Sequence, residues 1–412
     1  MNGRQFDVVI AGGSFVGLTL ALALARSTAG SLRIAVVDAV PAEVQLSDAF
    51  DGRAAAISAA VKQMLSALGV WDEVSAEAEP VVSIEITDTA LDTPLRGSLL
   101  TFDAGVNDGE PAAFILENVK LRKALFELVL REPNVELVVP ARVSRFDITE
   151  FDVRADLDTG ETLTARLLVA ADGQNSQLRR QAGIRAFRWE TGQMGIVASI
   201  GHEKPHGGKA VQHFLPAGPF AALPLPGNRC SLVWTERGAE AKRILFLSDA
   251  GIVEEITRRF GRGLGRITLL SRPAAYPMAM TLARAYVKPR FALAGDAAHG
   301  LHWIAGQGLN HGMKDVAALT EVIVDAMRLG LDIGGLESLK RYERWRRFDS
   351  TGSAMTAGII NGLFSNDLTP LRMLRGFGLG VVDRIGPLKA FFVQEAAGLT
   401  GELPRLLRGE PV

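Results

Sequence analysis

Three short segments of this 412-residue chain hold residue types at spacings that can do chemistry. Gly12-Gly13-Ser14-Phe15-Val16-Gly17 follows the frame G-x-G-x-x-G, with Ser14 at the middle glycine, and Asp38 lies about 20 residues on. Ala171-Asp172-Gly173-Gln174-Asn175-Ser176 leads to Arg179 and Arg180. Far downstream, Gly295-Asp296-Ala297-Ala298-His299 precedes Gly306-Gln307-Gly308-Leu309-Asn310. A glycine turn opening a helix offers backbone N–H groups to a pyrophosphate, and the later acid accepts ribose hydroxyls. One such turn says only that some dinucleotide binds. The distant Gly-Asp element adds a second clamp, which suits a cofactor held at both its pyrophosphate and its ribityl region. Flavin adenine dinucleotide meets that description.

The flanking sequence supplies the elements that would position these residues. Asp7 to Ala11 is a short apolar, β-branched run and reads as a buried parallel strand. A helix over Leu18 to Arg26 follows, then a strand over Arg33 to Val37, which Asp38 ends. Gly12 permits the tight turn, Gly17 lets helix and strand pack closely, and Ser14 offers a hydroxyl beside the phosphates at the cost of a Cβ. A strand ends at Asp172 and Gly173 turns, an arrangement that a simple helix cap at Asp172 also explains. Phe291 to Ala294 is a further apolar strand, and a helix begins in the Gly306–Asn310 segment and runs through Leu319. Ile57, Ala60, Val61, Met64, Leu65 and Leu68 recur at helical spacing and stop at Gly69. Val8 to Ala25 carries no charge, but its paired glycines and Asp7 mark a strand-to-helix turn rather than a membrane span or a signal peptide. A cytoplasmic location is therefore expected.

Composition narrows the class. Hydrophobic residues at 48% and charged residues at 22% are those of an ordinary globular protein large enough for two domains. A net charge of -1 leaves no long basic face for nucleic acid. The single cysteine, Cys230, excludes an internal disulfide and reads as a buried strand residue, and the six histidines form no metal cluster. Met194 to Gly201, Val211 to Leu215, Phe220 to Leu225 and Cys230 to Thr235 alternate apolar and polar residues and predict an antiparallel sheet. Such a sheet would floor an apolar pocket, with His213, Phe214, Pro216, Phe220 and Trp303 as substrate candidates; an ordinary sheet core explains the first four equally well. No Ser/His/Asp triad and no pair of glycosidase-type carboxylates stands out. The expected fold is α/β: a Rossmann-type FAD-binding domain (1–75, 101–185 and 275–350), an inserted antiparallel β-sheet substrate domain (76–100 and 186–274) and a helical C-terminal extension (351–412).

In order and spacing the three segments resemble the flavoprotein aromatic hydroxylases related to p-hydroxybenzoate hydroxylase. The C-terminal third narrows the likeness. Tyr342 to Asp349, Gly362 to Asn366, Leu371-Arg372, Gly378-Leu379, Asp383-Arg384, Pro387 to Lys389 and the ending Ala397 to Pro404 resemble the ubiquinone-biosynthesis hydroxylases. That resemblance implies FAD, NAD(P)H as electron donor, O2 and a polyprenylated phenol hydroxylated on its ring. It also implies roles. Gly12, Gly13, Ser14 and Gly17 hold the pyrophosphate, and Asp38 the ribose. Arg53 and Asn118, the latter opening a helix through Leu130, approach the flavin, and Asp172 matches the Asp-Gly element. Gly295, Asp296, Gly306, Gly308, Leu309 and Asn310 form the ribityl and isoalloxazine loop. Arg53 and His302 are the candidates for direct participation; apart from the resemblance, His302 reads as a structural histidine or as a proton relay near the flavin. Two positions depart from the family pattern: Trp303 where proline is usual, and His311 where a small apolar residue is usual. Apolar and basic residues alternate from Met355 through Leu374, Arg375, Phe377 and Lys389 to Phe391, a pattern that fits a packed cap, a dimer surface, a quinone-biosynthesis complex or peripheral membrane contact. A flavin halogenase is set aside because no two of the five tryptophans fit W-x-W-x-I-P. A flavin-stabilised subunit without turnover remains the competing class.

Overall fold

The computed structural model describes residues 4–49, 51–88, 100–106, 109–300, 307–364 and 393–412. His302, Trp303, Gly306 and the segment from Leu371 to Phe391 lie outside the described residues.

The first sheet is built on β-branched and aliphatic runs. Arg4–Ala11 pairs in parallel with Ile34–Val37 on one side and Thr162–Ala170 on the other, with Val8 opposite Ile34 and Leu167. Val135–Val138 extends the parallel order beyond Ile34–Val37, and Phe291–Leu293 joins the end of Thr162–Ala170. The antiparallel hairpin Val143–Ile148 and Val153–Leu157 flanks the start of that same strand. Helices Phe15–Ser27, Asn118–Leu130 and Gln307–Arg328 pack together over this sheet. Their apolar residues and the central strands form one continuous core, as expected of a parallel sheet covered by helices.

The second sheet runs His299–Gly300, Ile267–Ala283, Ala186–His202, Arg229–Arg237, Gly218–Leu225, Lys209–Leu215, Ser83–Asp88 and Leu100–Asp103. All pairs are antiparallel except Lys209–Leu215 with Ser83–Asp88. The strands are longer than alternation alone predicted, because pairing continues through positions whose side chains are mixed. Two expected domain divisions fall inside strands: Ile267–Ala283 runs unbroken through 275, and Leu100–Asp103 spans 101. Helices Gly238–Leu245 and Asp249–Phe260 cover one face, burying Ile244, Ile252 and Ile256 against Phe220 and Trp234.

A three-stranded sheet joins Ala54–Ser58 with Ala113–Glu117 and Glu79–Pro80. Here the predicted helix from Ile57 starts late. Ile57 ends up on the strand, and the helix is Ala59–Ala67, because Ser58 keeps an extended backbone and its hydroxyl accepts the Val61 N–H as an N-cap. Gly69 adopts φ +59, the left-handed conformation that stops the helix. Near the C-terminus, Leu336–Phe364 is one long helix, and Leu406 and Leu407 fold back into the first core. Among the described residues, no helix is long and apolar enough to cross a membrane.

Candidate functional site

A cleft of about 480 Å³ opens where the two larger sheets meet. The ends of the first sheet supply Ser14, Val16, Ala171, Gly173 and Asp296, and the start of Gln307–Arg328 supplies Gly308, Leu309 and Asn310. Arg53, Ala54, Ala55, Ala56 and Asn118 border one side. The second sheet closes the other with Val197, Ala210, Gln212, Ala221, Leu223 and Val233.

The phosphate end is sterically specified. Gly12 adopts φ +113, and a Cβ there would stand 2.2 Å from the Ala171 carbonyl oxygen. A Cβ on Gly17 would meet the Gly12 oxygen at 1.8 Å, so the helix can approach the strand only as glycine. Asp38 Oδ2 accepts the Gly13 N–H at 2.5 Å and Oδ1 the Val40 N–H at 2.7 Å. Each oxygen keeps a lone pair for a ribose hydroxyl. Ser14 is the exposed N-cap residue of Phe15–Ser27, and its side chain makes no capping bond, which leaves the hydroxyl for a ligand.

Several polar atoms are buried without a protein partner. Asn118 Oδ1 and Asp172 Oδ1 are two, at the edge of the cleft and beside the Gly173 turn, and Gln45 Oε1 is a third. Gln45 donates through Nε2 to the Gly13 oxygen at 3.2 Å. Such atoms cost about 1–3 kcal/mol each when left unsatisfied. Together with the glycine cradle they fit a long polar cofactor. Asp172 also caps a helix, its Oδ2 accepting Gln177 and Leu178 N–H, so the capping explanation holds for one of its two oxygens.

Asp296 lies on the turn Gly295–Ala297 with its side chain open to the cleft. Protein crowded around its carboxyl raises the pKa above the ordinary value; nearby Asp315 adds to this, and His299 opposes it. Arg179, buried, donates to the Ala297 oxygen at 2.7 Å and grips the turn from the Asp172 side. Asp315 grips it from below, accepting Gly295 N–H at 2.8 Å and pairing with His299 Nε2 at 2.6 Å. Burial pushes Asp315 up, but His299 and Arg346 outweigh it and hold the carboxyl below its usual range.

Other expected residues sit differently. Arg53 pairs with Asp51 at 2.6 Å, and its guanidinium lies 5.9 Å from the Tyr276 ring, at the cleft's edge. Asn310 spends its amide on the backbone of Ala54–Ser58, donating to Ala56 and accepting from Ser58, so it braces the site. Four of the five substrate candidates lie away from this cleft. His213 and Phe220 face the helices behind the sheet, stacked 6.3 Å apart, because side chains one residue apart on a strand point to opposite faces. Phe214 is buried at the end of Lys209–Leu215, and Pro216 lies in the following turn; neither lines the cleft. Cys230 is buried on its strand as expected, its thiol pushed up to about 12 by burial and by Glu79.

Sequence reasoning did not single out Gln45, Asp315 or Arg346, and it gave Arg179 and His299 no role. One signal was available for Asp315: a lone acid on the apolar face of a helix, beside Val316 to Leu319.

Residues 5–348 match the family described as the FAD binding domain, and the chain belongs to that family. It is a flavin-dependent aromatic monooxygenase. Within that class it belongs with the ubiquinone-biosynthesis hydroxylases. Ubiquinone hydroxylase UbiL of Rhodospirillum rubrum is 42% identical over 409 residues, covering 98% of this chain and 93% of that one. The 3-demethoxyubiquinol 3-hydroxylase of Escherichia coli is 35% identical over 400 residues, covering 97% and 100%. In fold, the chain resembles the crystal structure of p-nitrophenol 4-monooxygenase PnpA from Pseudomonas putida, with a TM-score of 0.79 over 97% of this chain and 99% of that one, at 19% identity.

Proposed function

We propose that this chain hydroxylates the ring of a polyprenylated phenol on the route to ubiquinone, with NAD(P)H as electron donor and O2 as oxygen source. One observation carries the reading: polar flavin-holding groups and an aliphatic wall of small residues line a single cleft. FAD, when bound, supplies the electron transfer and the oxygen activation. The chain's own residues do the rest. Gly12, Gly13, Ser14 and Gly17 receive the pyrophosphate at a helix N-terminus, and Asp38 receives the ribose. Asp296, Asn118 and Asp172 would hold the hydroxyls and polar edge of the flavin, with the backbone of Gly308, Leu309 and Asn310 beside it. Ala54, Ala55, Ala56, Ala210 and Ala221 leave room for a planar ring beside the flavin, and Val197, Leu223 and Val233 keep water away from it. Arg53 stands at the cleft's edge, paired with Asp51. The lipid tail of such a substrate requires contact with a membrane surface or a delivering partner.

The test is turnover. The purified yellow protein should oxidise NAD(P)H faster with a prenylated phenol than without it, and mass spectrometry should find the added oxygen on the ring. NAD(P)H consumption that ignores every phenol supplied would overturn the reading.

A further inference from the structure

One helix braces the surroundings of the turn that carries Asp296, its Tyr342 bonding the preceding strand directly and its Arg346 acting through Asp315. From Leu336–Phe364, Tyr342 Oη donates to the Leu293 oxygen at 2.8 Å, and Glu343 accepts the Tyr286 N–H at 2.6 Å. Arg346 Nε donates to Asp315 Oδ1 at 2.7 Å. Asp315 spends its other oxygen on Gly295 N–H and His299. Arg346 also donates to Asp349 at 2.5 Å and to the His311 oxygen at 3.3 Å. Both members of the central pair are out of water, Asp315 at 0% and Arg346 at 4% side-chain exposure. A buried ion pair is a poor device for stability alone, since apolar residues of the same volume serve as well or better. What it does that apolar packing cannot is hold a carboxylate at a fixed point beneath a backbone N–H.

We propose that Arg346 is a positioning residue for the flavin turn: by holding Asp315 it fixes Gly295 and His299, and through them the aim of Asp296 into the cleft. This rests on the reading that Asp296 binds the flavin. Coupling of this kind is reciprocal, so bound FAD tightens the helix that carries Arg346. Nothing in the hydroxylation chemistry itself requires a residue so far along the chain.

The experiment uses the full-length holoenzyme and its Arg346→Met, Arg346→Lys, Tyr342→Phe and Asp296→Ala variants. FAD retention is read on dilution, from the recovery of free-flavin fluorescence. Hydrogen exchange is followed by mass spectrometry over 291–300 and 336–349, with and without added FAD. Arg346→Met should weaken FAD retention at least tenfold, and Arg346→Lys, which keeps the charge but not the planar fork, by an intermediate factor. Both should lose protection over 291–300 and the FAD-dependent protection over 336–349. Tyr342→Phe, which removes the bond to Leu293 on the preceding strand without touching Asp315, should weaken FAD retention less than Arg346→Lys does. The proposal is overturned if Arg346→Lys keeps FAD and exchange at the parent's values, or if Tyr342→Phe weakens FAD as much as Arg346→Lys does. Should Arg346→Met fail to fold, Arg346→Lys decides alone. If Asp296→Ala holds FAD normally, the reading of Asp296 fails, and exchange over 291–300 decides whether Arg346 fixes the turn.

Discussion

Asp296 is a carboxyl that its surroundings push toward protonation, yet it faces the cleft where hydroxyl donors are expected. Asp296→Ala should weaken FAD by about 1–3 kcal/mol, the cost of leaving those donors unpaired. Fluorescence titration measures it, and unchanged affinity would remove the residue from the site. His311 carries a second prediction. Burial first, then the charges of His299, Lys314 and Arg346, lower it from 6.5 to about 3, against the pull of Asp349. Below pH 6.5 the unfolded chain therefore takes up a proton that the folded chain refuses. Stability is complete above that pH and falls as pH drops toward about 3, by roughly 1.4 kcal/mol per unit. Asp349, held near 2 by Arg346 and Lys314 despite burial, adds its own loss only below 3.8. His311→Leu should flatten the decline between pH 6.5 and 4, read from urea midpoints; a slope like the parent's would assign the decline elsewhere. Such residues were only partly legible in the sequence. Gly12 and Gly17 announce themselves because their constraint is local backbone sterics. Asp315 and Arg346 do not, because each gains its meaning from a partner 31 positions away.

Strands and helices were legible as types and less so as faces. Alternation correctly marked the second sheet, but a period of two defines two faces without saying which one is covered by helices. The amphipathic helices Gly238–Leu245 and Asp249–Phe260 settle that question, since they bury the Phe220 and His213 side and leave Ala210, Gln212 and Ala221 to the cleft. Adjacent residues on Gly218–Leu225 should therefore respond in opposite ways. Phe220→Ala empties core volume and should cost about 3–5 kcal/mol of stability, with substrate selectivity unchanged in the protein that folds. Ala221→Leu projects into the cleft and should lower phenol-dependent NAD(P)H oxidation severalfold while the melting temperature stays near the parent's. Thermal melts and initial rates on both variants check this; the reverse pattern would put the cleft on the other face. The helix starting at Ala59 rather than Ile57 has a related cause. Helical spacing continued backward into a strand, and only the Ser58 cap marks the true boundary.

At the scale of the whole molecule, the two sheets follow the expected fold, while the divisions placed at 101 and 275 fall inside strands and the one placed at 350 falls inside the helix Leu336–Phe364. The proposed substrate then poses a problem of delivery. A polyprenyl chain stays in the bilayer because each buried CH₂ holds it there by roughly 0.8 kcal/mol. Among the described residues no helix crosses a membrane, and a net charge of -1 gives the molecule no general attraction to an anionic surface. Any attraction of this chain to a bilayer would then be local. The segment with Leu374, Phe377 and Phe391 beside Arg375 and Lys389, outside the described residues, has the composition for shallow insertion next to anionic lipid. Binding of this kind is weak, reversible and reduced by salt. The full chain should co-sediment with vesicles containing anionic lipid at low ionic strength and be released as salt rises, and Phe377→Ser/Phe391→Ser should abolish the effect while FAD content stays the same. A parent that remains in the supernatant under all these conditions would leave delivery to a partner protein, and the same segment would then be its docking surface or an internal cap.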